Sequence, residues 1–242
     1  MTKEQIRVYK MEKETLSRTL MVVIAHPDDE SFPMGGTLAK YAAEGVRIVL
    51  VSATRGEAGI PGLSAVETGR RREAELSAAA QALGVSRLEF LGYLDGDFDR
   101  ADEEAVVGKL LEIIRQEKPD TLLTFGADGI SGHPDHVAAH RFTTVAFDRS
   151  GTNGRLFYML PSEATQQGCG IPPSKELAGG PVVSIDISDY RVSKVRAMQC
   201  HASQEPPFSG DPEEEAEKLT CHEYFVLARP KQVETIPTDL FE

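Results

Sequence analysis

The sequence predicts a single α/β domain: a mostly parallel sheet with helices covering both faces. Three observations predict it. Short β-branched apolar runs alternate along the chain with longer helical stretches. The runs are apolar at consecutive positions, as in strands buried on both sides. A chain of 242 residues is long enough for one substantial core.

The elements follow in order. "TLMVVIA" (19–25) is a strand, apolar throughout. "GGTLAKYAAEG" is a helix stopped by Gly45, and "VRIVLVSAT" (46–54) is a second buried strand. "AVETGRRREAELSAAAQALG" is a long helix with Gly84 at its C-terminal cap. "RLEFLGY" is a third strand. "DEEAVVGKLLEIIRQEKPD" has an acidic first turn and a basic last turn, which suits the helix dipole. "TLLTF" (121–125) is a fourth strand. "HPDHVAAHRFTTVAFDRS" opens another helix with Pro134 at or near its first position. "RLFYML", "PVVSIDI" and "EYFVLA" are further strands, with a helix around "DYRVSKVRAMQCHA". Residues 166–180 and 203–212, rich in Gly and Pro, are loops, and the second is placed to act as a flap over a site. The sum is a Rossmann-like three-layer αβα arrangement over residues 1–242, with its core at about 19–204.

Composition narrows the function. The formal charge of −12 disfavours nucleic acid and anionic membranes as partners. Tryptophan is absent, which argues against base-stacking platforms. Cys169, Cys200 and Cys221 stand far apart with no CxxC, as expected in a reducing compartment. The first residues carry no signal-peptide core, and no apolar run approaches the ~20 residues of a membrane span. The expectation is a cytoplasmic protein. A homo-oligomer is compatible with the sequence but not specified by it.

Ligands in open α/β sheets bind beyond the carboxyl ends of the strands. The first strand runs directly into "HPDDE" (26–30), and the fourth into "GADGISGHPDH" (126–136). Two His/Asp clusters therefore fall at one edge of the sheet. His26 and Asp29 flank a proline turn, three residues apart. His133 and His136 are three apart at a helix start, and one or both can face the same ion. A His, Asp, His set fits catalytic zinc, which takes three protein ligands and keeps one position open. Neither cluster holds a thiolate, which argues against a structural zinc site. Asp28 is surplus to such a set, and a carboxylate beside an activated water can accept its proton. Glu30 suits either a partner for a ligand histidine or a helix cap.

Plainer readings stand beside these. "HPDD" alone is equally a turn in which Asp caps a helix. His136 and His140 have the i, i+4 spacing of a zinc pair, but His136 is the better ligand and His140 an ordinary helix residue. His140, His201 and His222, each taken singly, read as structural. Ser31 is a poor nucleophile, with no base marked for it. "GRRREAEL" is a solvated helix face from which one Arg can turn inward. There is no GxGxxG, Walker A or GxSxG motif.

"AHPDDE" followed by "HPDH" resembles the LmbE/PIG-L family of zinc-dependent de-N-acetylases. "GGTLAKYAAEG", "TRGEAG", "RREAELSAAAQALGV", "LGYLDG" and "KVRAMQCHASQ" agree in order, over residues 19–204. The resemblance implies zinc, or another divalent ion such as iron(II), held by His26, Asp29 and His136. It implies Asp28 as general base and His133 as a polar partner near the substrate carbonyl. It implies that Arg72, in Arg-x-x-Glu with Glu75, and Asp95, in "YLDG", reach the substrate. The sequence departs from some sugar deacetylases at Ser131, where they carry a tyrosine. The activity so implied is removal of an N-acetyl group from an amino sugar or its glycoside. The alternatives are an amidase of thiol S-conjugates, and a non-catalytic metal- or sugar-binding protein on the same scaffold.

Overall fold

Strand β1 (Thr19–Ile24) is buried at all six positions, so both of its faces are covered, as the unbroken apolar run requires. Each buried Leu, Val or Ile of this kind contributes about 1.5–3 kcal/mol. The computed structural model describes residues 18–161, 180–205, 208–230, 235 and 237–242. The leader expectation, Cys169 and most of the expected 166–180 loop lie outside the described residues.

Helix α1 (Gly35–Ala43) leads to β2 (Arg47–Ser52), and α2 (Ala65–Ala82) to β3 (Arg87–Phe90). Helix α3 (Glu103–Glu117) leads to β4 (Thr121–Phe125), and α4 (Pro134–Ser150) to β5 (Arg155–Leu160). Then come β6 (Val182–Asp186), α5 (Arg191–Cys200), the short α6 (Pro212–Ala216) and β7 (His222–Arg229). The sheet order is β3-β2-β1-β4-β5-β7-β6. The first five strands are parallel, and β7 runs antiparallel to both of its neighbours. Helices α1, α2 and α5 pack together, and α3 packs on α4. Right-handed crossovers put these two groups on opposite faces.

Local chemistry explains the boundaries. Ser64 and Glu67 form a reciprocal capping box at the start of α2, and Gly84 follows its end at φ +75°. Asp102 caps α3, and Pro134 opens α4. Strand β3 ends at Phe90, short of the expected Tyr93, because the chain leaves the sheet there to carry Asp95 toward β1. The start of the expected 203–212 flap is pinned rather than free. Ser203 donates its N–H and its hydroxyl to the two oxygens of Glu75 on α2, at 2.9 and 2.6 Å.

The order in which strands are added to the sheet reverses between the parallel neighbours β1 and β4. These neighbours are hydrogen-bonded in register, Leu20 to Thr121 and Val22 to Leu123, so both strands deliver their carboxyl ends at one level.

Candidate metal centre

Beyond β1 the chain turns tightly through residues 26–31, and the Ser31 N–H donates to the Asp28 carbonyl at 2.9 Å. Asp28 sits at φ +105°, a conformation that costs an L residue on the order of 1–3 kcal/mol and persists only when its surroundings impose it. Those surroundings are visible. Arg72 Nη2 donates to the Pro27 carbonyl at 2.6 Å and to Asp28 Oδ2 at 3.1 Å. The Asp28 N–H donates to Glu30 Oε2 at 3.0 Å. Asp29 folds back, and its Oδ2 accepts the N–H groups of His26 and Ala25 at 2.8 and 3.2 Å.

Beyond β4 the chain turns at Gly129, φ +64°, where an added Cβ would stand 2.8 Å from the Cβ of His136. The Gly129 carbonyl accepts the His136 Nδ1 proton at 3.0 Å. The imidazole lies flat on Phe125, with ring centroids 4.2 Å apart. A carbonyl can only accept, so His136 presents a lone pair at Nε2.

His26 is fixed from its own far side. Its Nε2 faces Asp95 Oδ1 at 3.1 Å and Asp135 Oδ2 at 3.3 Å, which leaves the lone pair on Nδ1. The two lone pairs meet. His26 Nδ1 lies 3.2 Å from His136 Nε2, and Asp29 Oδ1 lies 3.2 Å from the same Nε2. Asp29 Oδ2 is 3.7 Å from His26 Nδ1. Three electron-rich groups facing one another repel unless a cation lies among them. Bonds of about 2.0–2.1 Å in tetrahedral geometry separate neighbouring donors by roughly 3.3 Å, which the two 3.2 Å separations about His136 Nε2 match; the nearest Asp29 oxygen to His26 is the other one, Oδ2. His133 also offers a ring nitrogen within 4.8 Å of those of His26 and His136. Its Nδ1 accepts the Asp135 N–H at 3.2 Å, which directs its Nε2 side to the site.

The charges agree with this geometry. Burial opposes charge on His26, but Asp135, Asp95 and Asp29 outweigh it and push its pKa up to about 10. Burial likewise opposes charge on His136, and Asp29 overcomes it to raise the pKa. Burial would raise Asp29, yet the two imidazoles hold it far below the usual carboxylate range. Protons therefore compete for the position that suits a metal. Asp28 goes the other way: burial and the Asp29 carboxylate push it up to about 7 against the pull of Arg72. Burial, with His26 and His136 nearby, lowers His133 and favours its neutral form.

The residues expected at the site are thus brought together, with changes of position. His26, Asp29, His133 and His136 converge, and the Asp28 carboxylate, next to Asp29, is held by Arg72. Arg72 does not open toward a ligand. It is 4% exposed, its Nη1 donates to the Gly56 carbonyl at 3.2 Å, and its Nη2 holds the Pro27–Asp28 turn. Asp95 is drawn to His26 rather than presented outward, because the imidazole and the Ala58 N–H, at 3.2 Å, take its oxygens. Glu75 anchors Ser203, and Ser131 Oγ stands 3.3 Å from His136 Nδ1. Glu30 meets not a ligand histidine but His201, at 2.7 Å. His140 donates to the Phe125 carbonyl at 3.0 Å, and His222 pairs in the sheet with Asp186. Asp135 is not singled out by the sequence, where an acid in a first helical turn reads as ordinary. Its place in a second "HPD" at a strand end was the available signal.

Comparison with known proteins gives consistent relatives. Residues 21–147 match the family model described as "PIG-L: GlcNAc-PI de-N-acetylase". The chain is 35% identical to a Saccharomonospora viridis protein named 1D-myo-inositol 2-acetamido-2-deoxy-alpha-D-glucopyranoside deacetylase, over 92% of this chain and 99% of that one. A Streptomyces avermitilis protein of the same name is 32% identical, over 95% and 98%. Among solved structures, the N,N'-diacetylchitobiose deacetylase of Pyrococcus horikoshii superposes with a TM-score of 0.65 at 22% identity, over 94% of this chain and 93% of that one. The 4-carboxy-2-hydroxymuconate hydratase of Pseudomonas putida superposes with a TM-score of 0.67 at 19% identity, over 91% and 100%. These two share the fold.

Proposed function

The chain belongs to the PIG-L family of GlcNAc-PI de-N-acetylases, and from that premise we propose that it is a zinc-dependent hydrolase removing the N-acetyl group from an N-acetylglucosaminyl glycoside. The observation that carries the reading is the convergence of His26 Nδ1 and Asp29 Oδ1 on His136 Nε2, each at 3.2 Å, next to the Asp28 carboxyl. The names of the curated relatives support N-acetylglucosaminyl-inositol as the first substrate to test.

A divalent ion held by His26, Asp29 and His136 would act as a Lewis acid on the acetyl carbonyl and bring the pKa of water down to about 7. Asp28 accepts a proton as water oxygen bonds to the carbonyl carbon, and a pKa near that of its partner suits a base. His133, neutral and with Nδ1 engaged by the Asp135 N–H, donates from Nε2 to the carbonyl oxygen as negative charge grows there. The C–N bond then breaks, its electron pair stays on nitrogen, and Asp28 returns the proton to the amine. Acetate and a free amine leave. Arg72 serves Asp28 rather than the sugar, since its Nη1 is engaged with Gly56 and its Nη2 with Pro27 and Asp28, while its Nε is buried with no hydrogen-bond partner among the described residues.

No helix among the described residues is long and apolar enough to cross a membrane.

The test is one panel. Protein loaded with zinc or with iron(II) is offered N-acetylglucosaminyl-inositol, N-acetylglucosaminyl-malate, N-acetylglucosamine, diacetylchitobiose and a thiol S-conjugate of an amino sugar, and amine and acetate are measured. Stoichiometric amine and acetate from a glycoside supports the proposal. Sugar binding without acetate release would support a binding protein instead, and turnover confined to thiol S-conjugates would support the amidase.

A further inference from the structure

Glu30 has no task in the reaction above, yet it is fully buried within the motif that supplies His26, Asp28 and Asp29. Its Oε2 accepts the Asp28 N–H at 3.0 Å, and its Oε1 takes the Ser31 hydroxyl at 2.5 Å and His201 Nε2 at 2.7 Å. His201 enters from the turn after α5, is itself fully buried, and has no partner for Nδ1 among the described residues. No hydrogen bond among the described residues joins this pair to His26, Asp29 or His136.

An apolar pair would fill the same space without the desolvation that a buried carboxylate and imidazole incur. The charged pair does something an apolar pair cannot. The peptide group between Pro27 and Asp28 has its carbonyl on the Arg72 guanidinium and its N–H on the Glu30 carboxylate. Its dipole therefore lies between a cation and an anion, each at the favourable end. A flip of this peptide would turn the carbonyl toward a carboxylate and the N–H toward a guanidinium, repelled at both ends. The flip is also the motion by which Asp28 would escape φ +105°.

We propose that Glu30, braced by His201, is a positioning residue: with Arg72 it locks the Pro27–Asp28 peptide in one orientation and so aims the Asp28 carboxylate at the attacking water. This rests on the reading of Asp28 as base. Pre-aiming of a reacting group is worth large factors in rate, and small misplacements lose them.

Three measurements on the full chain test it: steady-state kinetics, metal content, and the Asp28 amide resonance in labelled, metal-free protein. Glu30→Leu is expected to lower kcat about 10- to 100-fold with KM and metal content little changed. The Asp28 amide proton should move upfield as its carboxylate acceptor is lost. Glu30→Gln keeps an acceptor for that N–H and should recover most of the lost kcat. The proposal is overturned if Glu30→Leu turns over at the parent rate, if it loses metal in step with kcat, or if the Asp28 amide does not move. Should Glu30→Leu fail to fold, His201→Ala carries the same expectations, and parent-like kcat there overturns the proposal equally. Asp28→Asn runs alongside. If it retains turnover, the base reading fails; if it is inactive while Glu30→Leu is normal, only the positioning role fails.

Discussion

Asp135→Asn isolates what holds the metal site in place. Asp135 is fully buried, with each carboxylate oxygen already engaged. Its Oδ2 accepts the Gly96 N–H at 2.8 Å and faces His26 Nε2 at 3.3 Å, while Oδ1 accepts the Asp99 N–H at 3.1 Å. Asparagine has one acceptor oxygen and one NH2, so either orientation sets a donor against a backbone donor. One buried N–H is left unsatisfied, at a cost of about 1–3 kcal/mol, and each kcal/mol lowers Tm by roughly 2–4 °C in a chain this long. The metal is lost more easily as well. Removing a carboxylate that orients a ligand histidine typically weakens affinity about 10- to 100-fold, or about 1.4–2.7 kcal/mol. Asp95 remains on Nε2 at 3.1 Å, so the loss from Asp135→Asn alone lies toward the tenfold end, and adding Asp95→Asn should deepen it. Competition with a chromophoric chelator measures the affinity, and a thermal melt measures the stability. A variant with lowered Tm but parent affinity would refute the orienting role and leave Asp135 only a brace for the Gly96–Asp99 turn.

Asp28→Asn should keep its metal and lose at least ~10²-fold in kcat, and elemental analysis beside initial rates separates the two. The sign of the pH effect on metal binding follows from His26. Its pKa of about 10 makes metal and proton competitors, so apparent affinity should rise about tenfold per pH unit through neutrality and level off only near pH 10. An affinity that is flat with pH, read by calorimetric titration, contradicts this. The same shift raises the folded pKa above 6.5, so its contribution to the stability of metal-free protein is complete below about pH 6.5 and is lost as pH rises toward 10. Gly56→Ala puts a Cβ 2.2 Å from Arg72 Nη1 at a φ of +69°, so it should cost about 1–2 kcal/mol in backbone strain alone and lower kcat by displacing the guanidinium. Parent-like melting and kcat would show that Arg72 tolerates the shift.

The strands could be read from the sequence because burial on both faces keeps the run 20–24 wholly apolar and admits into 121–125 only the buried Thr121 and Thr124, whose hydroxyls donate to main-chain carbonyls. The residues proposed as metal ligands could be picked out because their chemistry is concentrated in two short motifs, which the fold brings together. What could not be read depends on packing between distant segments. Glu30 and His201 are 171 residues apart and meet only because α5 packs against α1 and α2. Arg72 was legible as an arginine able to turn inward, but its partners are main-chain carbonyls, which no residue type announces. Asp95 drew attention as a site acid; that it orients His26 follows from where β3 ends. The hydratase that shares the fold shows why the site rather than the sheet had to carry the functional reading.

Because β1 and β4 are sheet neighbours separated by β2, β3 and their helices, the ligands on either side of the metal lie 110 residues apart in sequence, from His26 to His136. The three donors cannot assemble until that long-range strand pair has closed. A metal held by the proposed ligands would therefore have no complete site in the unfolded chain and would enter late, as a latch on a finished fold rather than as a nucleus for it. A ligand of that kind stabilises by mass action, about 2.7 kcal/mol at a hundredfold excess over Kd. Chelation should accordingly leave a folded but more easily opened protein, whose exposure to proteases tracks the free metal concentration.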